Sequence, residues 1–325
     1  MEFFPFRMES HMPAIAKKAR LSVRNWREYN ESLVARGSIT FWFSDETLKN
    51  WYHENGDGKR GRPFTYSDST MELFLTIREL LRLPYRQTEG FVRGMLALVA
   101  DRLNVPDFTS AAKRAAKLGV ALPVLPRHGQ VDVVLDSTGL KVFGEGEWKV
   151  RQHGPSKRRT WRKLHLAIDP DTQEIVAEVL TTNAGHDADQ AAILLDDVSG
   201  KINSVTADGA YDQWKVYNAI DRRGARPKIA PRRNAKIKRH ALAAGPRLAR
   251  DEAIRMIRRI GRKNWKKRIG YHCRSLVETA VFRLKNAFGP RLKNRKLPNQ
   301  RTEARLRCKI LNHFTQSRLL YAAAN

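Results

Sequence analysis

Two textures of apolar spacing divide the chain. From Ser67 to about Lys117 apolar residues recur every three or four positions, the period of helices with one buried face. Ser67, Asp68 and Ser69 supply N-cap chemistry for a helix that buries Met71, Phe74, Ile77 and Leu81 and stops at Pro84. Thr88 is expected to cap a second, with Phe91, Met95, Leu98 and Val99 inward, Leu103 just beyond and Pro106 as the break. Thr109 or Ser110 opens a third, with Lys113, Arg114 and Lys117 outward. Three short helices with a basic third suggest a helix-turn-helix arrangement; a plain three-helix packing unit has the same pattern. Pro123, Pro126 and Gly129 then mark a linker.

Beyond the linker the period shortens. Val131–Asp136 is nearly continuous apolar sequence, the mark of a strand buried on both faces and ending at Asp136. Trp161–Asp169 alternates through Leu164, Leu166 and Ile168, and Glu174–Thr181 reads as a third strand. A helix over Ala188–Val198, a short strand from Val205 into a turn at Asp208–Asp212, a helix over Gln213–Arg222 and a strand over Arg226–Pro231 follow. Residues 232–268 read as basic and helical. A further helix buries Leu276, Val277, Ala280, Val281, Leu284 and Phe288, and a last one covers Glu303–Ala322. The pattern predicts an α/β fold: a mixed sheet with flanking helices, preceded by a small all-α domain. The expected division is a poorly ordered segment 1–26, a helical, helix-turn-helix-like domain 27–128, and an α/β domain 129–325 with a segment 222–268 rich in Lys and Arg.

Charge adds a partner. The chain of 325 residues carries 61 Lys+Arg against 33 Asp+Glu, a formal charge of +28. From Arg222 to Lys296 there are 26 Lys+Arg and only Asp251, Glu252 and Glu278, which leaves +23 in that stretch. A second knot, Lys157-Arg158-Arg159-Thr160-Trp161-Arg162-Lys163, mixes cations with an indole. An excess of one sign repels itself and attracts polyanions, with nucleic acid first and a membrane surface second. No stretch approaches the roughly 18–20 apolar residues of a spanning helix, and Met1–Arg7 lacks a signal-peptide pattern. Cys273 and Cys308 make neither a disulfide framework nor a CxxC site and are expected as small buried residues of a cytoplasmic protein.

The chemistry centres on three acids. Asp136 and Asp208 end the first and fourth strands, and Glu278 projects from a later helix. Tyr271, Arg274, Glu278 and Lys285 follow one another at spacings of three, four and seven, so on a helix they share one stripe. Arg274 and Glu278 could be an ordinary i,i+4 ion pair. Three carboxylates meeting at a sheet edge would instead repel one another unless a cation is held, and two divalent ions about 3.5–4 Å apart suit phosphodiester chemistry. Asp132 lies mid-strand. Asp169 reads as a turn or cap residue before Pro170, Asp212 as a cap for the next helix or, as the lesser alternative, a ligand. His186 and Asp187 either approach the site or form a turn. Ser137 lacks the paired base a covalent nucleophile needs, and Tyr211 sits where the acid pattern already explains its neighbourhood.

Three segments resemble one family. Asp136-Ser137-Thr138-Gly139-Leu140-Lys141 and Ala207-Asp208-Gly209-Ala210-Tyr211-Asp212 are similar to the blocks around the first two catalytic acids of DDE transposases of bacterial insertion sequences. Tyr271-x2-Arg274-x3-Glu278-x6-Lys285 matches the third-acid signature of one large branch. The resemblance runs from about residue 27 to 317 and implies a ribonuclease H-like catalytic fold. It implies that Asp136, Asp208 and Glu278 bind two Mg²⁺, with Mn²⁺ as a substitute. Tyr271, Arg274 and Lys285, with Lys157, Arg158, Arg159, Trp161, Arg162 and Lys163, would contact DNA. The implied reaction is cleavage at the element's ends and attack of the freed 3′-hydroxyl on target DNA, by a homodimer or higher multimer on double-stranded DNA. A ribonuclease H-like nuclease that cuts without joining, and a non-catalytic DNA-binding descendant, are the alternatives.

Overall fold

The computed structural model describes residues 26–37, 45–54, 63–99, 103–126, 129–142, 161–237 and 246–323. Helices α1 (Trp26–Ala35), α2 (Asp45–Lys49), α3 (Asp68–Leu80), α4 (Tyr85–Val99) and α5 (Phe108–Ala115) come first. Then follow β1 (Val131–Val142), β2 (Trp161–Ile168), β3 (Ile175–Thr182), α6 (Asp187–Asp197), β4 (Ile202–Ala207), α7 (Trp214–Arg222) and β5 (Arg226–Ile229). The chain closes with α8 (Pro246–Ile260), α9 (Arg262–Arg268), α10 (Ser275–Phe288), β6 (Arg291–Leu292) and α11 (Leu297–Ala323). None of the described helices is long and apolar enough to cross a membrane.

The strands lie in the order β3-β2-β1-β4-β5, with β6 beside the far end of β1. β2 runs against both its neighbours, whereas β1, β4 and β5 are parallel. This is the mixed sheet that the pattern predicts, in the ribonuclease H-like arrangement that the resemblance implies, and both faces are covered. Val131, Val133 and Leu135 point to one face, where Leu194 and Leu195 of α6 and Val216 and Ile220 of α7 close a core. Val134 and Leu140 point to the other, against Val277, Ala280 and Leu284 of α10 and Cys308 and Leu311 of α11. Alternation along a strand thus assigns Asp136, in phase with Val134, to the α10 face.

β1 does not end at Asp136, as the apolar run suggested. It continues to Val142, paired with β2 as far as Lys141 opposite Trp161. The Trp161 ring covers Gly139 in this polar half, where a Cβ would lie in ordinary contact with it.

A third core lies under α3, α4 and α5: Trp51, Phe74, Ile77, Val92, Leu96, Ala111 and Ala115, closed by Leu306 of α11. Ser67 caps α3 through the Thr70 amide, as its position predicts. Two expectations change here. α5 is capped by Asp107, which accepts from the Thr109 and Ser110 amides, because its carboxylate reaches both exposed donors of the first turn. In α4, which starts at Tyr85, Thr88 is inside the helix and donates to the Pro84 carbonyl. Its buried face is Thr88, Val92 and Leu96, while Phe91 and Leu98 face solvent. Two apolar stripes lie on this helix, and packing selected the other one. The last helix begins at Leu297, six residues before the expected Glu303, and ties the regions together. Arg307 is wholly buried between Glu79 of α3 (3.0 Å) and Glu303 (2.5 Å), and donates to the Arg291 carbonyl.

Candidate active site

β1 and β4 bring the first two acids together. The last paired positions of these parallel strands are Val134 and Thr206; two residues further along stand Asp136, still in β1, and Asp208, just past the end of β4. Adjacent strands run about 4.8 Å apart, so the register itself makes the acids neighbours. Both lie on the α10 face: Thr206, in phase with Asp208, brings its hydroxyl within 3.5 Å of the Cys273 sulfur. Asp208 turns the chain by accepting from the Ala210 amide, 2.9 Å away, at the head of a tight turn over Gly209–Tyr211.

Glu278 reaches the pair through Arg274. The guanidinium places Nη1 3.4 Å from Asp136 Oδ2 and Nη2 on Glu278 Oε1. Arg274 is therefore a counter-ion shared between two acids. Tyr271–Arg274 does not continue the helix as expected. It forms a separate 3-10 turn, and α10 starts at Ser275. A tighter turn rotates Tyr271 inward, where its hydroxyl donates to the Ala207 carbonyl at 3.1 Å, one residue before Asp208. The Tyr271 ring is buried with Trp265 and Ala230.

The local field is acidic. Burial raises the Asp136 carboxyl above its usual range, with Asp208 and Glu278 adding to the rise, while the Ser137 amide and Arg274 oppose it. The Tyr271 hydroxyl is pushed up to about 12, chiefly by burial, with the two Asp residues contributing. Tyr211 is also raised, first by burial and then by Asp187, Asp136 and Asp208. Its hydroxyl is buried without a hydrogen-bond partner among the described residues.

Asp187 stands behind this tyrosine, whereas its neighbour His186 is exposed. Lys163 Nζ lies 3.3 Å from Asp187 and His165 Nδ1 3.5 Å. The His165 ring is fully buried, bonded to Thr181 Oγ1 at 2.9 Å, and burial lowers its pKa. Of the cationic knot, Arg162 is held by Gln300 at 2.8 Å, Lys163 by Asp187, and the Trp161 ring lies against Gly139. Lys157, Arg158 and Arg159 lie outside the described residues. Lys285 is half-buried on α10, just before its end.

The remaining acids sort by their partners. Asp132 accepts from Asn203 and Ser204 at the opposite end of β1. Asp169 is buried and turns the β2–β3 loop by accepting from the Asp171 amide. Asp212 is not the cap of α7, which is Gln213. It is held by both arms of Arg250, at 2.6 and 3.1 Å, and by the Arg232 amide. The i,i+3 run of cations on α8 and the Asp212–Arg250 lock escaped the sequence reading; the former has a visible period, the latter none. Cys308 is buried as expected and Cys273 is half-buried at the site's edge.

Sheet order and acid placement define a ribonuclease H-like protein with a carboxylate site at one sheet edge. Two family models, both described as Transposase DDE domain, match residues 34–145 and 127–313. The second spans more than half of the chain, and the chain belongs to the DDE transposase family. The cryo-EM structure of the piggyBac transposase synaptic complex with hairpin DNA is similar over 90% of this chain and 76% of its own, at 10% identity and a TM-score of 0.41.

The family implies dependence on a divalent metal. The donors fit a hard ion in kind: three carboxylates, all oxygen. Among the described residues, however, no three ligating side chains are gathered around one point. Glu278 is tied to Arg274 and its side chain is 56% exposed.

Proposed function

We propose that the protein binds the terminal repeats of an insertion sequence, cleaves DNA at the element's ends and joins the freed 3′-hydroxyls to target DNA. The observation that supports this most is the register of β1 and β4, which sets Asp136 beside Asp208, with Arg274 linking Asp136 to Glu278. Asp136, Asp208 and Glu278 would hold two Mg²⁺, or Mn²⁺ in their place. Bound ions of this kind activate the attacking oxygen and stabilise the leaving one.

The chain's own side chains do the rest. Asp136 and Asp208 are fixed by backbone amides, so their oxygens are aimed before substrate arrives. Glu278 has the freedom to close. Arg274, released from it, can pair with a phosphate in a bidentate fork. Lys285 lies seven residues beyond Glu278 on α10 and would offer a point charge to the same DNA strand. Two copies pairing two DNA ends would make the working form, in the cytoplasm of its bacterial host.

The test is a strand-transfer assay with purified protein, Mg²⁺, a labelled duplex carrying the element's ends, and a supercoiled target plasmid. Joined product is expected from the wild type and from none of Asp136→Asn, Asp208→Asn or Glu278→Gln, all of which retain DNA binding. Cleavage without joining would replace this reading with that of a nuclease. Binding without either reaction would leave a DNA-binding protein.

A further inference from the structure

The outer face of α8 and α9 carries charge that the acid site does not use. Arg255, Arg258 and Arg259 stand at spacings of three and four and so form one stripe on α8, and α9, which follows after Gly261, carries Lys263, Lys267 and Arg268. All six are exposed. Among the described residues no ion pair or hydrogen bond engages any of these side chains. The cations nearer the acids are committed: Arg250 to Asp212, Arg274 to Asp136 and Glu278, Arg262 to the Pro231 carbonyl. An uncompensated stripe repels itself and is stable only because something else holds the helices down.

What holds them is the opposite face. Ala253, Met256, Ile257 and Ile260 pack with Trp265, Ile269 and Tyr271 on Ala230. Arg250 locks α8 to Asp212, four residues beyond Asp208, and Tyr271 bonds the carbonyl just before Asp208. The stripe is thus carried on a unit pinned to the Asp208 turn from both sides.

We propose that the α8–α9 face is a second DNA contact, a track for the phosphate backbone of duplex DNA running beside the acid site. This deepens, and rests on, the reading of the protein as an enzyme of DNA ends. Exposed cations without base-reading groups bind phosphates by counterion release and hold a duplex in register. A membrane surface would need the apolar face of α8, which is already covered. Single-stranded nucleic acid would call for exposed aromatic rings, and Trp265, the aromatic residue of these two helices, is buried.

The experiment follows the affinity of the full-length protein for a labelled random-sequence duplex across a salt series, by fluorescence anisotropy. For the variant combining Arg255→Gln, Arg258→Gln and Arg259→Gln, the slope of log affinity against log salt should shrink by about 2.7, at about 0.9 per phosphate contact. The matching triple Lys variant should keep the wild-type slope, since it keeps the charges. An unchanged slope in the Gln variant overturns the track, as does an equal loss in both variants. If that unchanged slope accompanies intact cleavage of the element's ends, the track falls alone. A wild type that binds no duplex overturns the track and the proposed function together.

Discussion

Arg274→Gln should make the protein depend on divalent ions for stability to an extent the wild type does not. In the metal-free protein Arg274 is the counter-ion of Asp136 at 3.4 Å and of Glu278 one helical turn away. The guanidinium is 26% exposed and the Asp136 side chain 23%. The pair is therefore neither a surface bridge, worth about 0.2–1 kcal/mol, nor a buried one, whose breaking costs about 3–5 kcal/mol. Losing both contacts in this half-buried setting should cost about 1–3 kcal/mol, because Asp136 is left near Asp208 without its counter-ion. A divalent ion at the same acids restores the balance, and anything that binds only the native state stabilises it by mass action. The assay is urea unfolding of both proteins, in EDTA and in saturating Mg²⁺. The variant should be weaker by about 1–3 kcal/mol in EDTA and should recover most of that deficit in Mg²⁺. An equal deficit in both conditions would refute the reasoning, since it would mean that the ion and the guanidinium do not serve the same carboxylates.

Three further outcomes follow from other parts of the molecule. Arg307→Ala should lose about 3–5 kcal/mol in denaturant unfolding, because Glu79 and Glu303 stay buried without their cation; adding Glu79→Gln should recover part of it, and a strictly additive double variant would contradict the network. Burial pushes the Glu178 carboxyl up to about 7, against the pull of Arg305, from an ordinary 4.5. The native state then binds the extra proton between those values, so the contribution of Glu178 to stability is full below about pH 4.5 and is lost as pH rises through 7. The shift corresponds to at most about 3 kcal/mol, and Glu178→Gln should flatten the stability curve over that window. An unaltered curve would remove Glu178 as its source. Gly185→Ala places a methyl 2.6 Å from Thr181 Oγ1 and 2.9 Å from its Cβ. Thr181 holds His165, so strand cleavage should fall severalfold while duplex affinity is kept; unchanged cleavage would detach the His165–Asp187 pair from the site.

The sequence by itself determined the main strands of the sheet and placed Asp136 and Asp208 at strand ends and Glu278 on a later helix. Continuous apolar residues in β1 and alternation in β2 can only be buried in a two-faced layer, so the strands were legible. Tyr271, Arg274, Glu278 and Lys285 were legible as types at fixed spacings. What those spacings could not reveal was backbone state. The four were expected on one helix, yet Tyr271 turned inward because a 3-10 turn precedes α10. The α4 face was mis-phased for a related reason: two apolar stripes satisfy one period, and only the partner surface, here Trp51, Phe74 and Leu306, chooses between them. Tertiary structure alone also decided the site. Asp136, Asp208 and Glu278 lie some seventy residues apart in sequence, and nothing local links them. Strand register sets the first two side by side, and the packing of α10 on the α10-facing side of β1 brings Arg274 between the first and the third. Alternation fixes which face a residue takes; which residue of another element it meets depends on long-range pairing.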